Sequence, residues 1–406
     1  MDVFNQLASH KIQRAVIKTV DMHTSGEPTR IVVSGYPKLN GNTLLEKRRD
    51  ASDRLDNIRK QLMLEPRGHD GMYGAILVQE TELTKCGEAD IGVLFCHNEG
   101  YSTMCGHATI ALGRFLIDTH DEAVFPKRHS LPYSTKKHIT ELRIHAPCGV
   151  VHVSVPTTPD GNRADGTKPV SFISVPSFVS KRNFTVSINS KSHSTWGTFK
   201  EHNESDSHAS TRIPIQVAFG GAFYIIVSVQ DLGFDHLDEA HLPEFQQAAQ
   251  AIAYQARSAD LTILDGTLFH HPKEEDVSFL YGVIFVEDHR NGTTNTSSNL
   301  NSRSETGLCF FAGDQIDRSP TGSGVCARVA LAVSDGAGTL GMNEWCTYHS
   351  LWSRKSEGDG FRGRAVERFE DGSVLVEVQG RAFYTGCSSF VAPETVDVLG
   401  KGFSLT

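Results

Sequence analysis

The sequence predicts an α+β protein built from two similar domains, and two observations support that prediction. The chain has 406 residues, which is the length of two domains of ordinary size. An apolar helix follows a turn once in each half of the chain, after Cys105 and after Thr321, with short strand-like runs before and after it. The order strands, helix, strands therefore occurs twice, and each half is expected to form one α+β unit.

The helix of the first half follows the segment Met104-Cys105-Gly106-His107. Apolar residues recur behind it at the spacing of one buried helix face: Ala108, Ala111, Leu112 and Phe115. Cys105 is therefore expected at the helix N-terminus, where backbone N–H groups and the helix dipole favour a thiolate and a bound carboxylate. A lone cysteine in apolar surroundings is otherwise most often a small buried side chain.

The helix of the second half follows the segment Asp317-Arg318-Ser319-Pro320-Thr321-Gly322-Ser323-Gly324. Apolar residues again recur at helical spacing: Cys326, Val329, Ala330 and Val333. Thr321, like Cys105, has a small side chain of a type that can act as a nucleophile, and it precedes a glycine at the start of a helix. The two helix termini are therefore expected to be similar and to face each other.

The remaining elements are predicted from apolar periodicity and turn residues. In the first half we expect strands at 16–24, 31–33, 75–78, 91–95, 142–145 and 150–155, and a helix within 44–63. In the second half we expect a strand pair at 217–227, strands at 279–286, 373–378 and 382–384, and a helix at 242–258. Two polar stretches, 189–211 and 291–304, are predicted to be exposed insertions.

Five short motifs occur across nearly the whole chain. They are His23-Thr24-Ser25-Gly26-Glu27-Pro28, Arg67-Gly68-His69, Met104-Cys105-Gly106-His107, Phe219-Gly220-Gly221 and Asp317-Arg318-Ser319-Pro320. In type and order they resemble the motifs of the proline racemase-like enzymes, which include proline racemase, 4-hydroxyproline 2-epimerase and trans-3-hydroxy-L-proline dehydratase. Racemases and epimerases of that family have a cysteine after the last motif, whereas this chain has Thr321, which resembles the dehydratase branch.

The resemblance also implies a fold. It is that of diaminopimelate epimerase, in which two pseudo-symmetric domains each wrap a mixed β-sheet around a central helix and the active site lies in the cleft between them. Clefts between domains are common sites for small ligands. The first domain is expected at 12–178 with a returning tail at 392–406, and the second domain is expected at 179–391.

The chemistry implied by the resemblance is removal of the Cα proton of an imino acid, and Cys105 is the expected base. Backbone N–H groups would bind the substrate carboxylate, and they belong to Gly106, His107, Gly322 and Ser323. Asp317 and His107 would hold the ring ammonium. Asp317 could equally be a turn aspartate, and His107 could equally be a donor at the helix start.

Thr321 sets the expected reaction, because a threonine hydroxyl is too weakly acidic to act as a second base. Racemisation by two bases needs a group on each ring face, so little racemase activity is expected. In trans-3-hydroxy-L-proline the Cα hydrogen and the hydroxyl share one face. A single thiol could take that proton and return it to the departing hydroxide, which gives water and Δ1-pyrroline-2-carboxylate. Thr321 would then shape the pocket or hydrogen-bond the substrate.

Several alternatives stay open at this point. A bound water or His107 could protonate the departing hydroxide in place of Cys105. The protein could be an isomerase of the same family, that is, a proline racemase or a hydroxyproline 2-epimerase. It could also be an inactive member that only binds an amino acid.

Composition restricts the classes of binding partner and the cellular location that we expect for this protein. The net charge is −9 and the basic residues are scattered, so nucleic acid is not an expected partner. The sequence shows neither a long apolar run nor a signal-type start, so we expect no membrane contact and a cytoplasmic protein. The eight cysteines have no metal-ligand spacing and no nucleotide fingerprint is present, so no metal and no cofactor is expected. A homodimer is one expected assembly, because related enzymes are often dimers.

Overall fold

The computed structural model describes residues 16–189, 210–260, 268–288, 303–312, 314–334, 339–356 and 358–404. These residues divide into two units. The first unit contains the residues up to Phe172 and those from Gly380 onward, and the second unit is Ile173–Gln379. Of the two stretches predicted as insertions, 190–209 and 291–302 lie outside the described residues.

The described helices and strands follow in chain order. Up to the boundary between the units they are β1 (Val16–Thr24), β2 (Glu27–Ser34), α1 (Leu44–Arg54), α2 (Asp56–Met63), β3 (Tyr73–Val78), α3 (Glu82–Cys86), β4 (Ile91–His97), β5 (Tyr101–Ser102), α4 (Gly106–Asp118), β6 (Tyr133–Ser134), β7 (Ile139–Ala146), β8 (Gly149–Pro156) and β9 (Val170–Ile173). The second unit continues with β10 (Phe178–Asn189), β11 (Ser210–Phe219), β12 (Phe223–Ser228), α5 (Leu242–Asp260), β13 (Leu280–Asp288), β14 (Arg303–Phe311), β15 (Gln315–Ile316), α6 (Gly322–Ser334), β16 (Cys346–His349), β17 (Phe361–Arg368) and β18 (Val374–Gly380). The chain then returns to the first unit in β19 (Ala382–Val391).

The two units repeat one strand topology. In the first unit β19–β1 and β1–β2 are antiparallel, β2–β3 is parallel, β3–β4 is antiparallel, β4–β7 is parallel and β7–β8 is antiparallel. The second unit gives the same series with β10, β11, β12, β13, β14, β16 and β17. A two-residue strand, β5 or β15, precedes the buried helix in each unit. This repetition confirms the predicted α+β class with pseudo-symmetric halves.

Helices α4 and α6 are the central helices of their units. Helix α4 contacts β1, β2, β8 and β19, and helix α6 contacts β10, β11, β12 and β17. The sequence predicted one buried face, but nearly every residue of both helices is buried. Small residues explain the difference, because a Cβ added at Gly113 would lie 2.8 Å from Cγ1 of Val153, and one at Gly324 would lie 2.6 Å from Cδ1 of Ile284. Strands can therefore pack against each helix on all sides.

The returning tail is tied to the first unit by strand pairing. Strand β19 pairs with β1 along its whole length, from Val16 opposite Val391 to Thr24 opposite Ala382. Arg67 adds a link, because its guanidinium donates to the carbonyls of Val391 at 3.3 Å and Gly400 at 2.5 Å. The observed return therefore begins at residue 380, where the sequence-based division placed it at 392.

Most predicted elements agree with the structure, and two differ for local reasons. The strand predicted at 16–24 matches β1 residue for residue. The strand predicted at 31–33 begins earlier, at Glu27, because Ser25 and Gly26 take left-handed backbone angles (φ 52° and 88°) and close a tight hairpin. The helix predicted within 44–63 is interrupted at Leu55, after which Asp56 starts α2 and pairs with Arg59.

His97 ends β4 in a buried position where it stays neutral. Its Nδ1 accepts the N–H of Glu99 at 3.2 Å, which requires an unprotonated nitrogen. Burial is the main cause that lowers the pKa of His97 to about 3, and the charges of Arg59 and Arg48 lower it further. The backbone carbonyl of His97 accepts from Arg59 at 2.8 Å.

Acidification should destabilise the protein through His97. The unfolded chain protonates this residue near pH 6.5 and the folded chain only near pH 3, so folding stability is lost as the pH falls through that interval. The loss amounts to at most about 1.4 kcal/mol of unfolding free energy per pH unit. His97→Gln removes this component, so urea unfolding between about pH 7 and about pH 4 should show a shallower decline than in the wild type. Equal slopes for the two proteins would contradict the buried neutral state.

Candidate active site

Cys105 lies at the N-terminus of α4, where the sequence placed it. It is the N-cap residue, with extended backbone angles (φ −144°, ψ 109°), and its Sγ accepts the N–H of Ala108 at 3.4 Å. Serine, threonine, aspartate or asparagine usually fills this role. Because the sulfur accepts a backbone N–H at the positive end of a buried helix, this position favours a thiolate.

His107 contacts the sulfur of Cys105. Sγ lies 3.3 Å from Nδ1 and 3.5 Å from Nε2 of the ring. Both distances are within hydrogen-bond range for sulfur, and the nitrogen that donates depends on the tautomer of the ring. The imidazole and the Tyr73 ring form a T-shaped pair, with ring centroids 4.8 Å apart at 77°. The hydroxyl of Tyr73 in turn hydrogen-bonds Ser102 Oγ. The sequence analysis did not single out Tyr73.

The β1–β2 hairpin supports the first turn of α4. The hydroxyl of Thr24 donates to the carbonyl oxygen of His107 at 2.9 Å, and Thr24 is fully buried. The ring of His23 stacks on Phe383 of β19 at 5.4 Å. The first of the five motifs therefore has a structural role, since its hairpin holds the helix start that carries Cys105.

Thr321 precedes α6 in a strained conformation. Its φ is +63°, in the left-handed region that a β-branched residue rarely adopts. Its carbonyl accepts the N–H of Val325 at 2.7 Å and so begins the helix. The two helix termini are therefore less alike than the sequence predicted, because Cys105 is extended and Thr321 is left-handed. Such backbone strain amounts to about 1–3 kcal/mol and is common at functional sites.

The turn before Thr321 is held by its own side chains. Oδ1 of Asp317 accepts the N–H of Ser319 at 2.8 Å, and Oγ of Ser319 accepts the N–H of Thr321 at 3.1 Å. Asp317 is thus a turn aspartate, which was the alternative considered from the sequence. Its second carboxylate oxygen has no hydrogen bond within the described residues, so a ligand role is compatible with the turn role.

Two further residues shape the first turn of α6. The hydroxyl of Tyr224 lies 2.7 Å from Oγ of Ser323, and burial raises the pKa of Tyr224 well above its usual value, so the phenol stays neutral. A Cβ at Gly220 would lie 2.2 Å from the carbonyl oxygen of Ser323. Glycine is therefore required where the β11–β12 turn meets the helix, which explains the Phe219-Gly220-Gly221 motif. Tyr224 was not identified from the sequence, although it lies three residues after that motif.

The structure brings the predicted site residues together in two groups. One group lies at the start of α4 and contains Cys105, Gly106 and His107; the other lies around the start of α6 and contains Asp317, Thr321, Gly322 and Ser323. Across the described part of the chain, no group of three or more His, Cys, Asp or Glu side chains is arranged to hold a metal ion. None of the helices that the structure describes is long and apolar enough to cross a membrane.

Known proteins resemble this chain over nearly its full length. The family model described as proline racemase matches residues 19–404. The trans-3-hydroxy-L-proline dehydratase of Homo sapiens is 39% identical over 403 residues, which cover 98% of this chain and 98% of that protein. The trans-3-hydroxy-L-proline dehydratase of Colwellia psychrerythraea is 33% identical over 395 residues, which cover 96% of this chain and 92% of that protein.

A solved structure shares the fold. The crystal structure of a hydroxyproline epimerase from Agrobacterium vitis, with bound trans-4-hydroxy-L-proline, matches with a TM-score of 0.73 and 19% identity. The match covers 97% of this chain and 95% of that one. Together with the family model, the full-length relatives and the five motifs, this places the chain in the family that the sequence analysis named: it belongs to the proline racemase family.

Proposed function

We propose that this protein is a cofactor-independent hydro-lyase that converts trans-3-hydroxy-L-proline to Δ1-pyrroline-2-carboxylate and water. The observation that carries the proposal is the difference between the two helix starts, which offer a thiol at Cys105 and only a hydroxyl at Thr321. Two relatives that bear the name of this activity match the chain over nearly its full length, and this supports the proposal.

Cys105 is proposed to remove the Cα proton as a thiolate. The N–H of Ala108 and the N-terminal end of the α4 dipole stabilise that charge on sulfur. As the C–H bond breaks, negative charge develops toward the substrate carboxylate. Backbone N–H groups at Gly106 and His107 are proposed to bind the carboxylate and stabilise this charge.

The same thiol is proposed to complete the elimination. After proton transfer Cys105 is a thiol on the ring face that also carries the 3-hydroxyl group. The C3–O bond breaks, its electron pair leaves with the oxygen, and the S–H proton joins it to form water. An enamine remains and tautomerises to the cyclic imine. The sulfur is then a thiolate again, so no second base is needed.

His107 is proposed to support the thiolate rather than to protonate the leaving hydroxide. Both ring nitrogens lie within hydrogen-bond distance of the sulfur, at 3.3 and 3.5 Å, so the ring can donate a hydrogen bond to the thiolate. The sequence left three donors open for the departing hydroxide, namely Cys105, His107 and a bound water. We propose Cys105, because after proton removal it carries a proton on the ring face of the hydroxyl group. A ring N–H directed at the sulfur lowers the energy of the thiolate.

The start of α6 is proposed to bind and shape the substrate. Gly322 and Ser323 would contribute backbone N–H groups, Asp317 its second carboxylate oxygen, and Thr321 its hydroxyl. The expectation that the substrate is held in a cleft between the two domains stays a prediction. The cytoplasmic location and the homodimer expected from the sequence also stay predictions.

A substrate panel tests the proposal directly. The purified protein is incubated with trans-3-hydroxy-L-proline, trans-4-hydroxy-L-proline and L-proline, and the products are identified by NMR and chiral chromatography. The expected result is an imine from the first compound and no inversion of the other two. Inversion without water loss would support an isomerase instead. Thermal stabilisation by a ligand without any turnover would support a binding protein.

Cys105→Ser should abolish most of the dehydration. A serine hydroxyl cannot supply the base, and loss of general acid–base catalysis lowers rates by about 10²- to 10⁴-fold. Substrate should still raise the melting temperature of the variant, because the backbone N–H groups remain. The matched control is Cys387→Ser, which changes an exposed cysteine of β19 and should keep full activity. Wild-type rates in Cys105→Ser would exclude the thiol as base.

Thr321→Cys should add a second thiol and with it some inversion at Cα of proline or 4-hydroxyproline. The reason is that inversion needs an acid–base group on each ring face, and the wild type is proposed to have only one. Chiral chromatography and Cα exchange in deuterated water measure the gain. Thr321→Ser is the matched control, since it keeps a hydroxyl and should gain no inversion. If Thr321→Cys stays an active dehydratase without inversion, the missing thiol is not the reason for the reaction choice.

A further inference from the structure

We propose that Arg328, a residue to which no role has been assigned, is a positioning residue that holds the strained turn at Thr321. The inference rests on the proposed function, because it assumes that Thr321 and the start of α6 take part in the dehydration. Arg328 lies within α6, and its hydrogen bonds within the described residues go to Glu305 and to the carbonyl of Pro320, neither of which is proposed to bind substrate. Its effect on the reaction would therefore pass through the backbone of the turn.

The helix itself directs Arg328 toward the turn. Arg328 comes seven residues after Thr321, which is about two helical turns and brings both residues to one side of α6. Side chains of a helix lean toward its N-terminus, so a long side chain at this position reaches back along the helix. Its Nη2 donates to the carbonyl oxygen of Pro320 at 2.7 Å. That carbonyl belongs to the peptide group that enters Thr321.

Contacts outside the turn also fix the orientation of the Arg328 guanidinium. Nη1 of Arg328 donates to Oε1 of Glu305 at 2.9 Å, and Cζ lies 4.7 Å from the ring centroid of Tyr348. A Cβ at Gly307 would lie 2.4 Å from Nη1, so glycine makes the room that the guanidinium occupies. The side chain is only 2% exposed. The planar guanidinium can donate to Glu305 and to Pro320 at the same time. A lysine ammonium on a flexible side chain cannot do so with the same geometry.

The turn needs support from outside. The left-handed conformation of Thr321 is unfavourable for a β-branched residue and persists only where the surroundings hold it. Asp317 and Ser319 brace the turn from within. Arg328 braces it from the body of the helix, and Ser350 adds a bond to the carbonyl of Arg318 at 2.5 Å. Removal of the Arg328 side chain takes its hydrogen bond from the buried Pro320 carbonyl. The peptide group between Pro320 and Thr321 can then rotate, which moves Thr321 and the first N–H groups of α6.

A cavity next to the guanidinium allows a sharp test. It has a volume of about 290 Å³, and its lining includes Glu305, Arg328, Cys346 and Tyr348. When Arg328 is truncated to alanine, the space left by its side chain joins this cavity. A free guanidinium ion can then enter, pair with Glu305 and donate to Pro320 as the native side chain does.

The experiment compares Arg328→Ala with the wild type in the dehydration of trans-3-hydroxy-L-proline. A misplaced catalytic group lowers rates by roughly 10²-fold, and we expect a loss of kcat of that order for this variant. Guanidinium or methylguanidinium, at millimolar concentrations far below those that unfold proteins, should restore at least a tenth of the wild-type kcat. Arg328→Lys should keep the fold yet stay well below wild-type kcat and show no response to guanidinium.

The matched control is Arg364→Ala. Arg364 also binds a carboxylate, Glu377 at 2.6 Å, and its Cζ lies 4.5 Å from the Trp345 ring, but none of its hydrogen bonds within the described residues goes to the Thr321 turn. This variant removes a similar ion pair and ring contact at a side chain that is 31% exposed, and its kcat should stay at the wild-type value and not change with guanidinium.

Two results would overturn the inference. One is wild-type kcat in Arg328→Ala or in Arg328→Lys. The other is a loss of kcat in Arg328→Ala that guanidinium does not restore although thermal unfolding shows a folded protein. If Arg328→Ala does not fold, the kcat of Arg328→Lys decides. A wild type that forms no imine contradicts the proposed function and this inference with it, whereas an active wild type beside an equally active variant contradicts the inference alone.

Discussion

A helix that starts inside a protein leaves N–H groups that no preceding turn can satisfy, and this constraint underlies both halves of the molecule. In α4 the sulfur of Cys105 takes the N–H of Ala108. In α6 the carbonyl of Thr321 begins the helix, and a network of side chains sets the turn before it. Both helices are buried against strands of their own units, and their N-terminal ends therefore stabilise a negative charge. The fold thus creates the electrostatic conditions that the proposed proton removal requires.

The two halves share topology and differ in local backbone. Each unit carries the same series of antiparallel and parallel strand pairs, with its buried helix at the same point in the series. The residues before the two helices differ, however. Cys105 has an extended backbone and a thiol side chain, whereas Thr321 has a left-handed backbone and a hydroxyl side chain. A repeated fold can therefore hold two unlike chemical groups, because the first residue of a helix is set by its own turn more than by the sheet around it.

Local pattern predicted a large part of this structure. The position of Cys105 follows from helical spacing after a Cys-Gly-His segment, and the bounds of β1 were predicted from the local sequence as well, since both depend on neighbours in sequence. The contacts of Tyr73, Tyr224 and Arg328 could not be predicted in this way, because their partners are far along the chain or come from other elements. The left-handed angle of Thr321 was also missed, because a threonine gives no local sign of it.

The place of β19 has a consequence for how the protein is made. The first unit is not contiguous, because β19 supplies the neighbour of β1 from the far end of the chain. During synthesis the early residues leave the ribosome with one side of β1 unpaired, and an unpaired strand edge is prone to association with other chains. The second unit is contiguous, so it can finish folding while the first unit still lacks β19. The unit that carries Cys105 is therefore completed last, once β19 has been synthesised.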